Sequence, residues 1–206
     1  MKPNLNLLLG LIILFSFACK DKSENSGNSN KMKPTEKTEI QKSNNWPKFI
    51  SESHVGKYSI GELLPTSSEI YEIEKEKQTR FTESGPEEEI VYVLSRNDSE
   101  ELLLKSETPA GKTIDEIFVL SENYKTKEGI GVNSSLRDFI NTYPDYKLWY
   151  TYVSDRYVLE NSKSNIQFLL DKNDFIGKTE TNDVKVPVKA SDFKEDAKII
   201  KIRLYK

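Results

Sequence analysis

The sequence predicts an α+β fold: a single domain, mainly an antiparallel sheet of short strands, with about two helices. Three observations support this class. Short β-branched and aromatic runs recur between turn residues along most of the chain. Two segments instead carry a helix start signal or apolar residues at helical spacing. Residues 46–206 have the length of one ordinary domain, so these elements are expected to share one core.

The first strand and the first helix are predicted near the start of this domain. Residues 55–60 indicate a short strand. Residues 66–69 (TSSE) match a capping box, which predicts a helix over about residues 67–77. The alternation of apolar and charged residues that begins at Ile70 also fits a strand, so this alternative stays open.

A hairpin and a third strand are predicted next. An acidic turn is expected over residues 83–89, where a Gly-Pro pair punctuates the chain. Residues 90–94 (IVYVL) and 102–104 are typical of two paired strands around a turn at residues 96–99. Residues 114–120 (IDEIFVL) indicate the third strand.

The second helix is predicted within residues 130–144. Asn133 or Ser134 can cap it, and Pro144 ends it. Its apolar side chains recur at helical spacing, at Leu136, Phe139, Ile140 and Tyr143. Four further strands are expected after the helix, at residues 148–153, 157–159, 166–170 and 199–204.

The N-terminus has the pattern of a bacterial secretory signal. Lys2 precedes an apolar run over residues 7–15, and small residues lead to Cys19. We therefore expect residues 1–18 to be a cleaved lipoprotein signal peptide. The apolar run is too short for a transmembrane helix, which needs roughly 20 apolar residues.

Cys19 is the expected lipidation site. Residues 16–19 (SFAC) resemble the lipobox of bacterial lipoproteins, in which the cysteine becomes the first residue and carries acyl chains. Cys19 is the only cysteine in the chain, and its place directly after the predicted cleavage site is best explained by lipidation. Residues 16–18 also fit the site of the ordinary signal peptidase, and cleavage there would leave a soluble periplasmic binder with a free thiol.

Attachment to the membrane through acylated Cys19 would place the domain in the cell envelope. Lys20 stands where an aspartate would signal inner-membrane retention in enteric bacteria, so the outer membrane is expected, on its periplasmic or its cell-surface side. Residues 19–45 are rich in Lys, Glu, Asn, Ser and Thr, and they are predicted to be a disordered tether. Residues 46–206 form the predicted globular domain.

Composition excludes several classes of function. The net charge of −3 argues against nucleic acid as a partner. A single cysteine excludes an intramolecular disulfide. With His54 as the only histidine, zinc, copper and haem sites lack their usual ligands, so no metal and no cofactor is expected.

Three short motifs resemble functional sites only weakly. Residues 110–113 (AGKT) resemble the end of a phosphate-binding loop, but its first glycine is missing and a β-turn is expected. The segment from Asp171 to Gly177 resembles a calcium loop, although the EF-hand spacing fails. An Asx turn is therefore favoured, and a weak calcium site stays open. The acidic run at residues 87–89 is expected to be a solvated loop.

Aromatic residues crowd the region after the second helix. In a strand, Tyr146, Tyr150 and Tyr152 would share one face and Trp149 would lie on the other. A core face with its edge is the favoured interpretation, because aromatic residues dominate cores. Tyr146, Trp149, Tyr150 and Tyr152 are nevertheless the first candidates for a binding surface, for an unknown protein, glycan or peptide ligand.

An ordered set of glycine and apolar motifs supports a family resemblance. These motifs stand at residues 55–66, 90–120, 129–143, 166–169 and 199–204. Their order resembles that of the enterobacterial sigma-E-regulated outer-membrane lipoproteins, a family whose domain has no known function. The resemblance implies an envelope lipoprotein with no established activity and no catalytic residues to carry over. The tether and the segment around residues 83–89 depart from the family pattern.

The sequence therefore predicts a non-enzymatic, lipid-anchored envelope lipoprotein that binds an unknown ligand or serves envelope maintenance. The main alternative is a surface-exposed lipoprotein that binds an extracellular or host ligand, and protease accessibility on intact cells would distinguish the two. An unrecognised hydrolase is a third alternative, which predicts acidic residues clustered in a pocket.

Overall fold

The structure of the protein is a computed structural model that describes residues 48–82, 84–178 and 183–206. These residues belong to one compact unit. The predicted signal peptide, Cys19 and the tether lie outside the described residues, so those expectations stay predictions. No helix in the described ranges is long and apolar enough to cross a bilayer.

The described residues form one α-helix, two short 3-10 turns and thirteen strands. Helix α1 spans Leu136–Thr142, and the 3-10 turns span Lys172–Asp174 and Ala190–Asp192. The strands are β1 (Phe49–Ile50), β2 (His54–Val55), β3 (Tyr58–Ser59), β4 (Glu72–Thr82), β5 (Gly85–Arg96), β6 (Ser99–Lys105), β7 (Glu116–Val119), β8 (Lys125–Thr126), β9 (Tyr146–Thr151), β10 (Arg156–Asn161), β11 (Ile166–Leu170), β12 (Val186–Pro187) and β13 (Ile199–Tyr205).

Nine of these strands form one antiparallel sheet. Its order from edge to edge is β12-β9-β10-β11-β13-β7-β6-β5-β4, so the last strand of the chain lies in the middle. A small second sheet has the order β3-β2-β1-β8, in which β1 and β8 pair in parallel. The predicted α+β class, with a mainly antiparallel sheet of short strands, is confirmed.

The helix predicted over residues 67–77 is wrong, because most of this segment belongs to β4. The capping chemistry serves a turn instead: the Ser68 hydroxyl accepts hydrogen bonds from the amides of Ile70 and Tyr71, both at 3.2 Å. Beyond Tyr71 the chain pairs with β5 along the whole of β4, and this pairing outweighs helix propensity. The alternative strand interpretation is therefore correct.

The acidic turn predicted over residues 83–89 is wrong in extent, because β5 begins at Gly85. Gly85 has a φ of +117°, a conformation that L side chains rarely adopt. The run at residues 87–89 is consequently part of a strand and not the expected solvated loop. Its first carboxylate, on Glu87, lies 3.2 Å from Arg80 of the paired strand.

Two tight hairpins use residues with positive φ. The strand predicted over residues 55–60 divides into β2 and β3, with Gly56 at a φ of +57° in the turn between them. The hairpin predicted around residues 96–99 is confirmed. Asn97 and Asp98 both have positive φ there, +52° and +59°, as a type I′ turn requires.

Helix α1 confirms the second predicted helix but uses a different cap. Ser135, rather than Asn133 or Ser134, is the N-cap, since its hydroxyl accepts a hydrogen bond from the amide of Asp138 at 3.0 Å. The fully buried Phe139 packs the helix against β11 by a ring contact. Of the roughly two helices expected, this is the one that forms in the described residues.

The nine-stranded sheet buries apolar side chains on both faces. Successive residues of a strand point to opposite sides, so Leu102 and Leu104 join a larger core, while Leu103 joins a smaller cluster. The larger core includes side chains of α1 and of the small sheet, and we call this side the core face. The side with the smaller cluster is the groove face, and that cluster consists of Val91, Val93, Leu103, Phe118, Val158 and Leu169.

Candidate ligand-binding groove

The groove face carries an open cavity of about 440 Å³, which we call the sheet groove. Four residues of the smaller apolar cluster line it, Leu103, Phe118, Val158 and Leu169. Residues of β4 and β5 also line it, together with residues of β9 and β10. Because these strand pairs stand near opposite ends of the sheet order, the sheet must curve around the cavity.

Four cationic side chains share this face because of strand alternation and register. Lys105 and Arg156 each stand two residues from an apolar residue of the groove on the same strand. Lys201 and Arg203 are each paired across strands with such a residue. Residues two apart on a strand, and residues directly opposite each other, point to the same side of a sheet. All four side chains line the sheet groove.

Two of the four cations are paired with carboxylates. The Nζ of Lys105 lies 2.5 Å from Oε1 of Glu89. The Nε of Arg203 donates a hydrogen bond to Oε1 of Glu116 at 2.8 Å, and its Nη1 donates to Oε1 of Gln167 at 3.0 Å. These charges are therefore satisfied within the protein, by charge-assisted hydrogen bonds.

The other two cations, Arg156 and Lys201, have no hydrogen bond or ion pair with any described residue. Both side chains are partly buried. Burial, and then the charge of Arg203, lower the pKa of Arg156 below its ordinary value. Burial, and then the charges of Arg156 and Lys105, lower the pKa of Lys201 below 10.5. Nearby carboxylates oppose both shifts without cancelling them, so the fold still holds two neighbouring cations in an environment that disfavours their charge.

Asp155 precedes Arg156 in the chain but does not pair with it. Its carboxylate accepts hydrogen bonds from Nζ of Lys172 at 2.8 Å and from the hydroxyl of Tyr150 at 2.9 Å. These two partners, Lys172 first, lower the pKa of Asp155. The negative charge nearest to Arg156 in the sequence is therefore matched elsewhere.

The long basic side chains also cover the apolar part of the groove. The ring of Phe118 is only 4% exposed, although it lies on the open face of the sheet. The Nζ atoms of Lys105 and Lys201 lie 4.9 and 5.5 Å from its centroid, and the guanidinium carbon of Arg203 lies 5.9 Å from it. Such contacts combine cation–π attraction with packing of the alkyl stems.

The aromatic residues predicted as a binding surface are separated by the sheet. Tyr146 and Tyr150 pack against the larger core, whereas Trp149 packs against the smaller cluster. Tyr152 follows β9 and is 50% exposed. The four residues therefore do not share one surface, and Trp149 is the one of them that lines the sheet groove. Its indole N–H has no acceptor among the described residues.

The remaining sequence motifs have structural roles. Residues 110–113 lie at a turn closed by a 2.9 Å hydrogen bond from the Gly111 amide to the Thr108 carbonyl, as expected. The Asp171 side chain caps a 3-10 turn, which agrees with the Asx-turn interpretation. His54 is hydrogen-bonded at 2.6 Å to a serine three residues earlier. The described ranges contain no group of three or more His, Cys, Asp or Glu that could hold a metal ion.

Sequence reasoning missed Arg156 and Lys201 as site residues. Part of the signal was visible, since residues 199–204 alternate apolar and basic side chains and so place Lys201 and Arg203 on one face. Arg156 gave no such signal. It stands at the start of β10, and the cations near it come from strands distant in sequence.

The fold has a counterpart among solved structures. The uncharacterized protein yfeY from Escherichia coli is similar to this chain with a TM-score of 0.51 and 14% sequence identity, over 76% of this chain and 99% of that one. At this identity the likeness shows the fold alone. No protein-family model matches the chain, and neither does any curated protein. The fold is thus one that also occurs in an enterobacterial protein of unknown function.

Proposed function

We propose that this protein is a non-enzymatic, lipid-anchored lipoprotein of the bacterial cell envelope, and that its domain acts by binding a ligand in the sheet groove. The groove is the observation that carries the binding role. It is an open cavity of about 440 Å³, within the usual size of ligand sites, and two of its cations have no partner among the described residues.

The anchor is supported by the N-terminal sequence. A basic start, a short apolar run and small residues before Cys19 are the pattern of a lipoprotein signal. Several acyl chains would hold the mature protein at the membrane, where one chain alone anchors only marginally. The family resemblance supports an outer-membrane location and membership of the sigma-E-regulated lipoproteins as part of this proposal.

The polar groups of the groove favour binding over proton transfer. Two of its carboxylates, those of Glu89 and Glu116, are each held by a basic side chain. A general base needs free access to a substrate proton, whereas a paired carboxylate mainly positions its cation. The groove therefore supports recognition of a ligand better than hydrolysis.

Intact mass and detergent partitioning of the mature protein test the anchor. We expect the wild type to carry acyl mass and to enter the detergent phase, and Cys19→Ser to do neither. Ser23→Ala, which keeps the cysteine, is the matched control and should behave as the wild type. A soluble wild type with an unmodified Cys19 would contradict the anchor and indicate a periplasmic binder.

Blocking the groove tests the binding role. Ser154 is exposed and lines the sheet groove, so Ser154→Trp should obstruct it without disturbing the core. Ser53→Trp, at an exposed site that does not line the groove, is the control. Native mass spectrometry of protein released gently from envelopes should show a small molecule retained by the wild type and by the control, and lost from Ser154→Trp. Equal retention by all three would contradict a groove site.

A further inference from the structure

We propose that the sheet groove is an anion site, which takes a small organic molecule carrying a phosphate or carboxylate group and holds that group between the Arg156 guanidinium and the Lys201 ammonium. This inference rests on the proposed binding role of the groove and adds the chemical class of the ligand.

The charge of the groove supports an anionic ligand. Arg80 and the four cations described above line it together with three carboxylates, so the lining carries two positive charges. The whole protein, in contrast, has a formal net charge of −3. A concave positive site in an acidic protein focuses its field on the cavity and attracts anions there.

Strand register places the two cations that lack a partner among the described residues next to the same apolar side chains of the groove. Lys201 is paired with Leu169, and Leu169 is paired with Val158, which stands two residues after Arg156. With strands about 4.8 Å apart and a rise of about 3.3 Å per residue, the Cα atoms of Arg156 and Lys201 are roughly 12 Å apart. Two long basic side chains that converge over this distance can both reach one oxyanion.

The energetics favour an external counter-ion at this place. Partly buried charges without a partner are unfavourable, and burial is the main cause of the lowered pKa of both groups. The neighbouring cations, Lys105 and Arg203, already have carboxylate partners and need no further anion. A bound oxyanion would accept two parallel hydrogen bonds from the planar guanidinium and one from the ammonium.

The volume of the groove limits the size of the ligand. A cavity of about 440 Å³ has the dimensions of a small-molecule site. Free organic phosphates and phospholipid head groups both offer the required chemistry. Apolar side chains beneath the cations suit the organic part of such a ligand.

Calorimetric titration of the soluble Cys19→Ser form, in buffer without phosphate or carboxylate, tests the proposal. Glycerol 3-phosphate is the probe and glycerol is its neutral control. We expect the phosphate to bind and glycerol not to bind. Arg156→Gln and Lys201→Gln should each weaken binding about tenfold or more, as the loss of a hydrogen bond to a charged group does. Arg156→Lys keeps the charge but not the planar guanidinium, so its affinity for the phosphate should lie between those of the wild type and Arg156→Gln.

Arg137→Gln is the matched control. It removes the same charge from an exposed side chain that is paired with Glu195 at 2.5 Å and does not line the groove. Binding should change less than about twofold in this variant, because the charge lies outside the site. Equal weakening by Arg137→Gln, or no binding of the phosphate at all, would overturn the anion proposal. A neutral molecule retained by wild type and lost from Ser154→Trp would then leave the groove itself as a ligand site.

Vesicles distinguish the two sources of the anion. We would compare phosphatidylglycerol with phosphatidylcholine vesicles, using the Cys19→Ser form and its Arg156→Gln and Arg137→Gln variants. Binding to phosphatidylglycerol alone that is lost in Arg156→Gln would identify a lipid head group. Binding of glycerol 3-phosphate without binding of vesicles would identify a free organic phosphate. If Arg137→Gln reduces vesicle binding as strongly as Arg156→Gln does, the proposed anion site is wrong.

Discussion

The two faces of the nine-stranded sheet both bury apolar side chains, but these side chains are covered in different ways. On the core face, apolar side chains are covered by helix α1 and by residues of the small sheet. On the groove face, the buried residues of the smaller cluster all come from strands of the nine-stranded sheet, and none comes from α1 or from the small sheet. Basic side chains of the sheet itself lie over it instead, as at Phe118.

This difference suggests that one face mainly stabilises the fold while the other remains accessible to a ligand. A face covered by secondary structure is closed to ligands, and its side chains are fixed by neighbours on all sides. A face covered by long charged side chains also excludes water, but the cover can move and its charges remain available to a partner. We therefore assign stability mainly to the core face and recognition to the groove face.

Truncation of an aromatic ring on each face should give the largest effect and the clearest contrast. Phe139→Ala removes a fully buried ring from the core face, and we expect the free energy of unfolding to fall by about 3–5 kcal/mol. Phe118→Ala should reduce it by at least about 1 kcal/mol less, because the flexible basic side chains can collapse into the space. Urea denaturation measures the free energy of unfolding of both variants, and equal losses would contradict the proposed difference between the two faces.

Removal of a buried charge on the core side should have the next largest effect. Glu101 is 4% exposed and accepts hydrogen bonds from Nε of Arg96 at 2.9 Å and from the Tyr124 hydroxyl at 3.2 Å. Glu101→Gln leaves the arginine without its counter-ion and should reduce stability by about 2–3 kcal/mol. Glu87→Gln, at a solvent-exposed pair, is the control and should change it by less than about 0.5 kcal/mol. A similar loss of stability in the two variants would contradict the stabilising role of the buried Glu101 carboxylate.

Asp115, which directly precedes β7, gives a pH-dependent prediction. The Glu107 amide, and then the Ser106 hydroxyl, lower the pKa of Asp115 below its ordinary value of 3.8. The ionised form therefore stabilises the fold above about pH 3.8, and this contribution disappears as the pH falls through the folded-state pKa. Asp115→Asn should reduce stability by about 1 kcal/mol at pH 7. The difference from wild type should shrink below pH 3.8 in thermal melts, and a constant difference would be inconsistent with this assignment.

The smallest effect is a gain in stability. Lys201→Met keeps the length and packing of the side chain but removes a partly buried charge that has no hydrogen bond or ion pair with a described residue. We expect stability to rise by about 0.5–1 kcal/mol at pH 7. Since the pKa of Lys201 is lowered in the fold, the gain should decrease as the pH approaches 10.5 and the lysine loses its charge. Denaturation at pH 7 and pH 9.5 measures it, and a loss of stability at both values would show that Lys201 is structural.

The sequence predicted the sheet well because its signals are local. The alternation at residues 199–204 and the apolar run at residues 90–94 each indicated a strand that the structure contains. The capping box before β4 led to the wrong prediction of a helix, because Ser68 makes the same hydrogen bonds in a turn as in a helix. Only pairing with β5, which lies later in the chain, decides between the two structures.

The candidate site was less accessible to sequence reasoning, because it depends on register between distant strands. Trp149 was named from its aromatic neighbourhood, and it does line the groove. Arg156 and Lys201 are 45 residues apart in the sequence, and the charge near each comes from other strands. No local pattern distinguishes an unpaired basic residue from the paired ones at Lys105 and Arg203, since pairing is decided by the fold.

A crystal structure of the protein grown with tungstate, a heavy-atom analogue of phosphate, would test directly whether Arg156 and Lys201 bind an anion. We expect an anomalous peak in the sheet groove, within hydrogen-bond distance of both the Arg156 guanidinium and the Lys201 ammonium. This peak should be absent in Arg156→Gln. Peaks found only at exposed lysines, with an empty groove, would contradict the anion site.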